Sequence, residues 1–176
     1  MPVRPRRPGD LDACVAVLRR VHDRSGYPDR WPADPARWLT PEGLISAWVA
    51  EHEGAIAGQV GLARSDRHPG LLQAAGRAAG ELAEIIRLFV DPAVRGTGLG
   101  RELLAVASAR AVASGLRPVL EVVDDAGPAI ALYERSGWQL IGTGTATWTT
   151  LDGANPGLRY YLSPEPHPAG PGPARA

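Results

Sequence analysis

Three glycines, Gly96, Gly98 and Gly100, stand two residues apart directly before a helical pattern. Glycine disfavours the helix, so its repetition at a helix start indicates that another group approaches the backbone closely there. The first amides of a helix are unpaired and carry a partial positive charge, which suits an anion. Arg95, just ahead of the glycines, can add a guanidinium fork to the same anion. The chemistry that this pattern favours is the binding of a phosphate group.

Two familiar phosphate-binding motifs do not fit this stretch. The Walker P-loop requires a lysine after its last glycine, and the chain contains no lysine. The dinucleotide fingerprint G-x-G-x-x-G fails because Arg101 occupies its third glycine position. The pattern that remains is Arg-x-x-Gly-x-Gly, formed by Arg95, Gly98 and Gly100. Taken alone, it is equally compatible with a flexible connection between a strand and a helix.

Two glutamates interrupt apolar, strand-like runs: Glu84 in AEIIRLFV and Glu121 in PVLEVV. Placing a carboxylate in such a run costs free energy unless pairing or function offsets it. An ion pair with Arg87 or Arg117 is the structural interpretation, and a role in function is the other. Both interpretations remain open from the sequence.

The surrounding pattern predicts a single domain over residues 1–163, with an α+β fold and a mixed sheet. The predicted strands lie within residues 3–7, 47–63 (two strands with a turn at Glu53-Gly54), 83–90, 118–123, 138–150 and 157–162. The predicted helices begin after the cap Asp10, at Thr40-Pro41, at Leu99 and at Pro128. Residues 65–80 are interpreted as a long functional loop, such as a lid. The Pro-, Gly- and Ala-rich tail 164–176 is expected to be disordered.

The composition excludes several classes of protein. Nineteen acidic residues balance 19 basic ones, so there is no net basic charge to attract nucleic acid or a membrane surface. A single cysteine, Cys14, forms no internal disulfide, and the four histidines do not stand at ligand spacing, so no metal site is predicted. No segment reaches the ~20 apolar residues of a membrane span. The protein is expected in the cytoplasm, and a homodimer is left open.

The order of the motifs resembles the acyl-CoA-binding core of the GNAT superfamily of N-acetyltransferases. The resemblance rests on a strand, VDP, RGTGLG opening a helix, a further strand and AIALYERSGW, and it is close over about residues 83–142. It implies a GNAT fold, in which helices flank a mixed, mostly antiparallel sheet of six to seven strands with splayed central strands. It also implies transfer of an acetyl group from acetyl-CoA to a primary amine of a small molecule or peptide, by direct attack in a ternary complex. The alternative is a non-catalytic acyl-CoA sensor or interaction domain of the same fold.

The resemblance also implies roles for individual residues. Tyr133 matches the acid that protonates the CoA sulfur. Glu84 matches the glutamate of the histone-acetylating branch, and Glu121 matches that of the branch that acetylates protein N-termini. One of them, directly or through water, is expected to deprotonate the amine, which is mostly protonated at neutral pH. The pantetheine arm would add to the sheet like a strand. The expected cofactor-binding residues are Leu88, Phe89, Val90, Arg95, Gly96, Thr97, Gly98, Leu99, Gly100 and Arg101.

The sequence departs from the family pattern at Ala126, where an asparagine that helps to hold the cofactor is common. Acceptor choice is expected to lie with residues 25–38, residues 65–80 and the region around Trp148. Four aromatic residues there either line an acceptor pocket or only cover the sheet edge. They are Tyr27, Trp31, Trp38 and Trp148. Cys14, in mid-helix, is interpreted as a buried structural thiol and not as an acetyl carrier.

Overall fold

The computed structural model describes residues 3–65 and 68–165, and within them seven strands form one sheet. The strands are β1 (Val3–Pro5), β2 (Leu44–His52), β3 (Ala55–Arg64), β4 (Leu82–Val90), β5 (Arg117–Val123), β6 (Gln139–Thr145) and β7 (Gly157–Leu162). Their order across the sheet is β1-β2-β3-β4-β5-β7-β6. Neighbours are antiparallel except for the central pair β4 and β5, which is parallel. The predicted mixed, mostly antiparallel sheet is therefore confirmed.

Five α-helices cover the two faces of this sheet. They are α1 (Leu11–Ser25), α2 (Pro35–Leu39), α3 (Pro69–Ala75), α4 (Leu99–Ala113) and α5 (Pro128–Arg135). Successive side chains of a strand point to opposite faces, and the core divides accordingly. Leu120 packs in the cluster that holds Leu103 of α4 and Tyr133 of α5, whereas its neighbour Val119 packs with Leu71 of α3. Helices α1 and α3 thus lie on one face, and α4 and α5 on the other.

The β2–β3 hairpin forms where the sequence predicts it. Glu53 and Gly54 both have positive φ, 51° and 81°, as a two-residue turn between twisted strands requires. The cap predicted at Thr40 is wrong, because no helix begins there. The short helix α2 comes earlier instead, and the carboxylate of Asp34 caps it by accepting the amide of Arg37 at 2.9 Å. Beyond α2 the chain turns directly into the β-prone strand β2.

Two further expectations are corrected. Residues 65–80 contain helix α3, whose Leu71 is fully buried. A helix of this length shows no clear periodicity, so its stability comes from packing and not from sequence pattern. Asp10 makes no side-chain cap for α1. Its carboxylate accepts the Arg7 amide at 2.6 Å and pairs with Arg4 at 2.7 Å. The tail residues 166–176 lie outside the described residues.

Candidate active site

The central strands separate, and this opens the sheet at its middle. β4 and β5 pair only at three positions, from Leu82 to Glu84 on β4, although β4 continues to Val90. On its other side β4 carries a bulge, because the register with β3 shifts between the pairs Ile86↔Gly61 and Phe89↔Gln59. Arg87, within the bulge, has a φ of 50°. The backbone of Leu88, Phe89 and Val90 is therefore without a partner strand on the β5 side, as the splayed arrangement predicts.

The bulge is held by hydrogen bonds from buried polar groups. The fully buried amide of Gln59 donates to the Arg87 carbonyl at 3.4 Å and accepts from Arg6 at 2.6 Å. Arg6 also donates to the Leu39 carbonyl at 2.9 Å. The distortion in β4 is thus fastened both to β3 and to the end of α2.

The glycine loop is open to solvent and ends at α4. Gly98 is the residue before the helix, with φ 92°, and Gly96 has φ 84°. A Cβ atom at either glycine would meet no other atom within 4 Å, so the space above the loop is free. The amides of Leu99 and Gly100 belong to the first helical turn, where no intrahelical acceptor exists. This arrangement fits a pyrophosphate, because the glycines let anionic oxygens reach unpaired amides.

Other members of the predicted cofactor set have different surroundings. Arg95 and Arg101 are exposed on either side of the glycines. Thr97 donates its hydroxyl to the Val94 carbonyl at 2.8 Å, which stabilises the loop. Gly100 faces Leu132 of α5, whose side chain would lie 3.4 Å from an added Cβ. Gly100 thus also serves helix packing.

The two candidate bases meet at one histidine that the sequence analysis did not single out. His68 lies just before α3, with its Nε2 atom 3.7 Å from Glu84 Oε2 and its Nδ1 atom 3.3 Å from Glu121 Oε2. Glu84 is 6% exposed as a residue, whereas the His68 side chain is 40% exposed. The three groups therefore connect the buried carboxylate to solvent. The predicted alternative partners do not take this place, because Arg117 pairs with Glu165 and donates to Ser163, and Arg87 stacks on Trp38.

Tyr133 lies on the opposite face of the sheet, in the core cluster that holds Leu103 and Leu120. Its ring packs beside Trp138 and Tyr161, at centroid distances of 6.1 and 6.0 Å. Its hydroxyl makes no hydrogen bond with any residue that the structure describes. Burial raises the pKa of Tyr133, and the neighbouring Tyr27 raises it further. Tyr27 lies on the other side of the sheet, on the α1 face, where its ring contacts Trp38.

The four aromatic residues of the predicted acceptor segments do not lie together. Tyr27 and Trp38 contact each other at a centroid distance of 6.1 Å, and Trp38 carries Arg87 above its ring. Trp31 instead packs on α1, where it contacts His22 and Arg19. Trp148 is 43% exposed. The Arg30 side chain donates to the Thr150 carbonyl at 3.4 Å, which joins the loop after α1 to the loop between β6 and β7.

No metal centre is found in the described part of the chain, where no three His, Cys, Asp or Glu side chains are grouped to bind an ion. No helix within residues 3–65 and 68–165 has the length and hydropathy needed to cross a bilayer. Ala126, at the position of the family asparagine, has φ 54°. This is a left-handed conformation that asparagine adopts more readily than alanine.

Comparison with known proteins identifies the family of this chain. Residues 15–138 match the model of the acetyltransferase (GNAT) family. A mycothiol acetyltransferase of Streptomyces bingchenggensis is 33% identical over 123 residues, which are 69% of this chain and 32% of that protein. Another, from Thermobispora bispora, is 37% identical over 102 residues, or 57% of this chain and 31% of that protein. The chain thus spans about a third of the length of the curated relatives it matches.

Solved structures share the fold at lower identity. The ribosomal-protein-S18-alanine N-acetyltransferase from Escherichia coli has a TM-score of 0.69 and 20% identity, with 97% of each chain covered. Arabidopsis thaliana NAA60 in complex with acetyl-CoA has a TM-score of 0.68 and 17% identity, covering 92% of this chain and 96% of that one. The fold and the match to the family model confirm the resemblance found in the sequence: the chain belongs to the GNAT family of acetyltransferases.

Proposed function

We propose that this chain is an N-acetyltransferase that moves an acetyl group from acetyl-CoA to a primary amine in a ternary complex. The observation that supports this most is the opening between β4 and β5, which lies between the glutamates with His68 on one face and Tyr133 on the other. Family membership is the second support.

The residues present fit acetyl-CoA along one continuous path. The amides of residues 96–100, with Arg95 and Arg101 beside them, would hold the pyrophosphate. The free edge of β4 at Leu88, Phe89 and Val90 would hydrogen-bond to the pantetheine arm and the acetyl carbonyl. Acetyl-CoA supplies the thioester: a C–N bond to the amine forms as the C–S bond to CoA breaks.

The base side of the reaction belongs to Glu84, His68 and Glu121. The acceptor arrives as an ammonium ion and must lose one proton before its lone pair can attack. Glu84 is the less exposed of the two carboxylates and accepts that proton in our proposal. His68 then passes it to solvent, because its side chain is exposed and contacts both carboxylates. Glu121 orients the imidazole from the second side.

The acid side belongs to Tyr133. The departing thiolate must be protonated. The hydroxyl of Tyr133 can donate this proton, because burial of the residue raises its pKa and keeps it protonated at ordinary pH. The nitrogen's remaining surplus proton returns to the tyrosine as the amide forms. A covalent acetyl-cysteine is not part of the proposal. Cys14 is fully buried in α1, and burial raises the pKa of its thiol to about 11.

The test is calorimetric titration with acetyl-CoA, with NADH as the control ligand, followed by thiol-release assays on a set of primary amines. We expect selective binding of acetyl-CoA and amine-dependent release of CoA. Glu84→Gln should lower turnover more than Glu121→Gln if Glu84 is the base. Binding without turnover of any amine would favour a non-catalytic acyl-CoA sensor. Absence of binding would refute both functions.

A further inference from the structure

Arg87 differs from every other half-buried arginine that the structure describes. Four of these donate side-chain hydrogen bonds to protein acceptors: Arg4, Arg6, Arg117 and Arg159. Arg87 donates none to the described residues, and its Nε atom is buried without a partner. A buried donor left unpaired is costly, and more so when it is charged. The unpaired Nε donor of Arg87 therefore requires a physical explanation.

The guanidinium is held in a way that keeps its donors available. Its Cζ atom lies over the Trp38 ring, 4.4 Å from the centroid, a distance at which the ring face attracts the cation. Guanidinium N–H bonds lie in the plane of the group. The ring face accepts no conventional hydrogen bond, so this contact leaves the N–H groups of Arg87 without an acceptor among the described residues. The edge of a guanidinium matches the two oxygens of a carboxylate.

Arg87 also lies on the acceptor side of the opening. The bulge in β4 turns its side chain toward Trp38, on the same face as α1 and the predicted acceptor loop. Burial lowers the pKa of Arg87, while Tyr27 and Glu84 oppose this shift. Glu84 lies three residues earlier on the same strand, with His68 beside its carboxylate. The opening therefore presents carboxylates at Glu84 and Glu121 and a cation at Arg87.

We propose that Arg87 binds a carboxylate of the acceptor, so that the acceptor is an amino acid or a related amine with a free carboxylate. The inference rests on the N-acetyltransferase function proposed above. The ammonium group of such an acceptor would face Glu84, and its carboxylate would face the two terminal Nη atoms of Arg87. Each charge of the acceptor then meets an opposite charge of the site. In a peptide, the carboxyl group next to the N-terminal amine is an amide, so only an acidic side chain could supply the carboxylate.

The experiment compares matched acceptors with the full chain and saturating acetyl-CoA. Each set contains an amino acid, its amide and its decarboxylated amine, for example phenylalanine, phenylalaninamide and phenethylamine. We measure kcat/KM by thiol release, and binding of the amino acid to the CoA-loaded protein by calorimetry. The wild-type protein should prefer at least one amino acid over both of its uncharged analogues by about tenfold or more.

Three variants then test whether Arg87 causes this preference. Arg87→Gln should remove the preference. For the amino acid, KM should rise and the calorimetric affinity should fall, while kcat/KM for the decarboxylated amine changes little. Arg19→Gln is the matched control, because Arg19 also stacks on a tryptophan, Trp31, at 3.6 Å but lies on the exposed side of α1. It should retain the preference. Arg87→Lys, which keeps the charge but not the fork, should retain part of it and guards against loss of folding in the Gln variant.

The outcomes separate the two proposals. Amines acetylated without regard to a carboxylate, a preference for peptide N-termini, or a preference unchanged in Arg87→Gln would each overturn the role of Arg87 while leaving the transferase function intact. Failure to acetylate any amine despite acetyl-CoA binding would overturn the transferase function, and the inference about the acceptor would fall with it.

Discussion

Replacing Tyr133 by phenylalanine tests the acid role directly, because the substitution removes one oxygen and keeps the ring. General acid catalysis contributes about 10²–10⁴-fold to a rate, which corresponds to roughly 2.7–5.4 kcal/mol of activation free energy. The hydroxyl has no hydrogen bond to any described residue, so its removal leaves no protein group unpaired. We therefore expect turnover to fall by at least tenfold and the melting temperature to move by no more than about 4 °C.

The assay is single-turnover acetyl transfer, which reports the chemical step even when product release limits steady-state turnover. Acetyl-CoA affinity, measured by calorimetry, should stay within a few-fold of the wild type. Because burial raises the pKa of Tyr133, the difference between variant and wild type should persist through alkaline pH without a loss of wild-type activity near pH 10.

A neighbouring tyrosine supplies the matched control for this test. Tyr161 is fully buried, packs beside Tyr133 and donates its hydroxyl to Glu134 at 3.0 Å. Tyr161→Phe should therefore reduce stability by about 1 kcal/mol and leave the chemical step unchanged. Equal single-turnover rates for wild type and Tyr133→Phe would remove Tyr133 from the mechanism. Equal losses in both variants would show that the effect comes from packing.

Three further predictions concern the glycine loop, the N-terminal ion pairs and the left-handed alanine. Gly98→Val should abolish tight acetyl-CoA binding. Gly115→Val, with a similar positive φ of 74° at the far end of α4, should lose stability but bind acetyl-CoA normally. Equal affinities of the two variants would mean that Gly98 is needed only for its backbone conformation. Hydrogen bonds from Arg4 hold the pKa of Asp10 at about 2, below the usual 3.8, so its stabilising contribution is present above pH 4 and disappears as pH falls toward 2. Acid unfolding of Asp10→Asn should lack this part of the pH dependence, and an unchanged slope would contradict it. Ala126→Asn should raise the melting temperature by about 2–4 °C, because asparagine tolerates the left-handed conformation. If Ala126→Asn is no more stable than Ala126→Val, the backbone conformation does not explain the stability at this position.

Local patterns predicted those parts of the fold that local physics determines. The Glu53-Gly54 turn, the start of α4 at the glycines and the start of α5 at Pro128 follow from backbone preferences of the residues themselves. Helix α3 could not be predicted, because its stability comes from Leu71 packing against strands far away in the chain. The cap at Asp10 failed for a similar reason, since Arg4 and the Arg7 amide compete for its carboxylate.

The sequence indicates members of the candidate site where a motif contains them, and not where contacts between distant segments bring them together. Glu84, Glu121 and Tyr133 stood out because each interrupts or completes a recognisable pattern. His68 carried one signal only, its position in a segment expected to be functional. Its contact with both glutamates depends on α3, which brings the chain back over the opening.

The bulge in β4 joins the two proposals physically. An extra residue on β4 that has no partner on β3 must be absorbed locally, and Arg87 absorbs it by adopting a φ of 50°. Next to this distortion, the pairing of β4 with β5 ends at Glu84, and the backbone edge beyond it is the one proposed for pantetheine. The distortion also turns the Arg87 side chain onto Trp38, beside the candidate base. The proposed cofactor edge and the proposed acceptor cation therefore lie at the same bulge of β4. A change that removed the bulge should weaken acetyl-CoA binding and acceptor preference together, whereas Arg87→Gln should affect only the second.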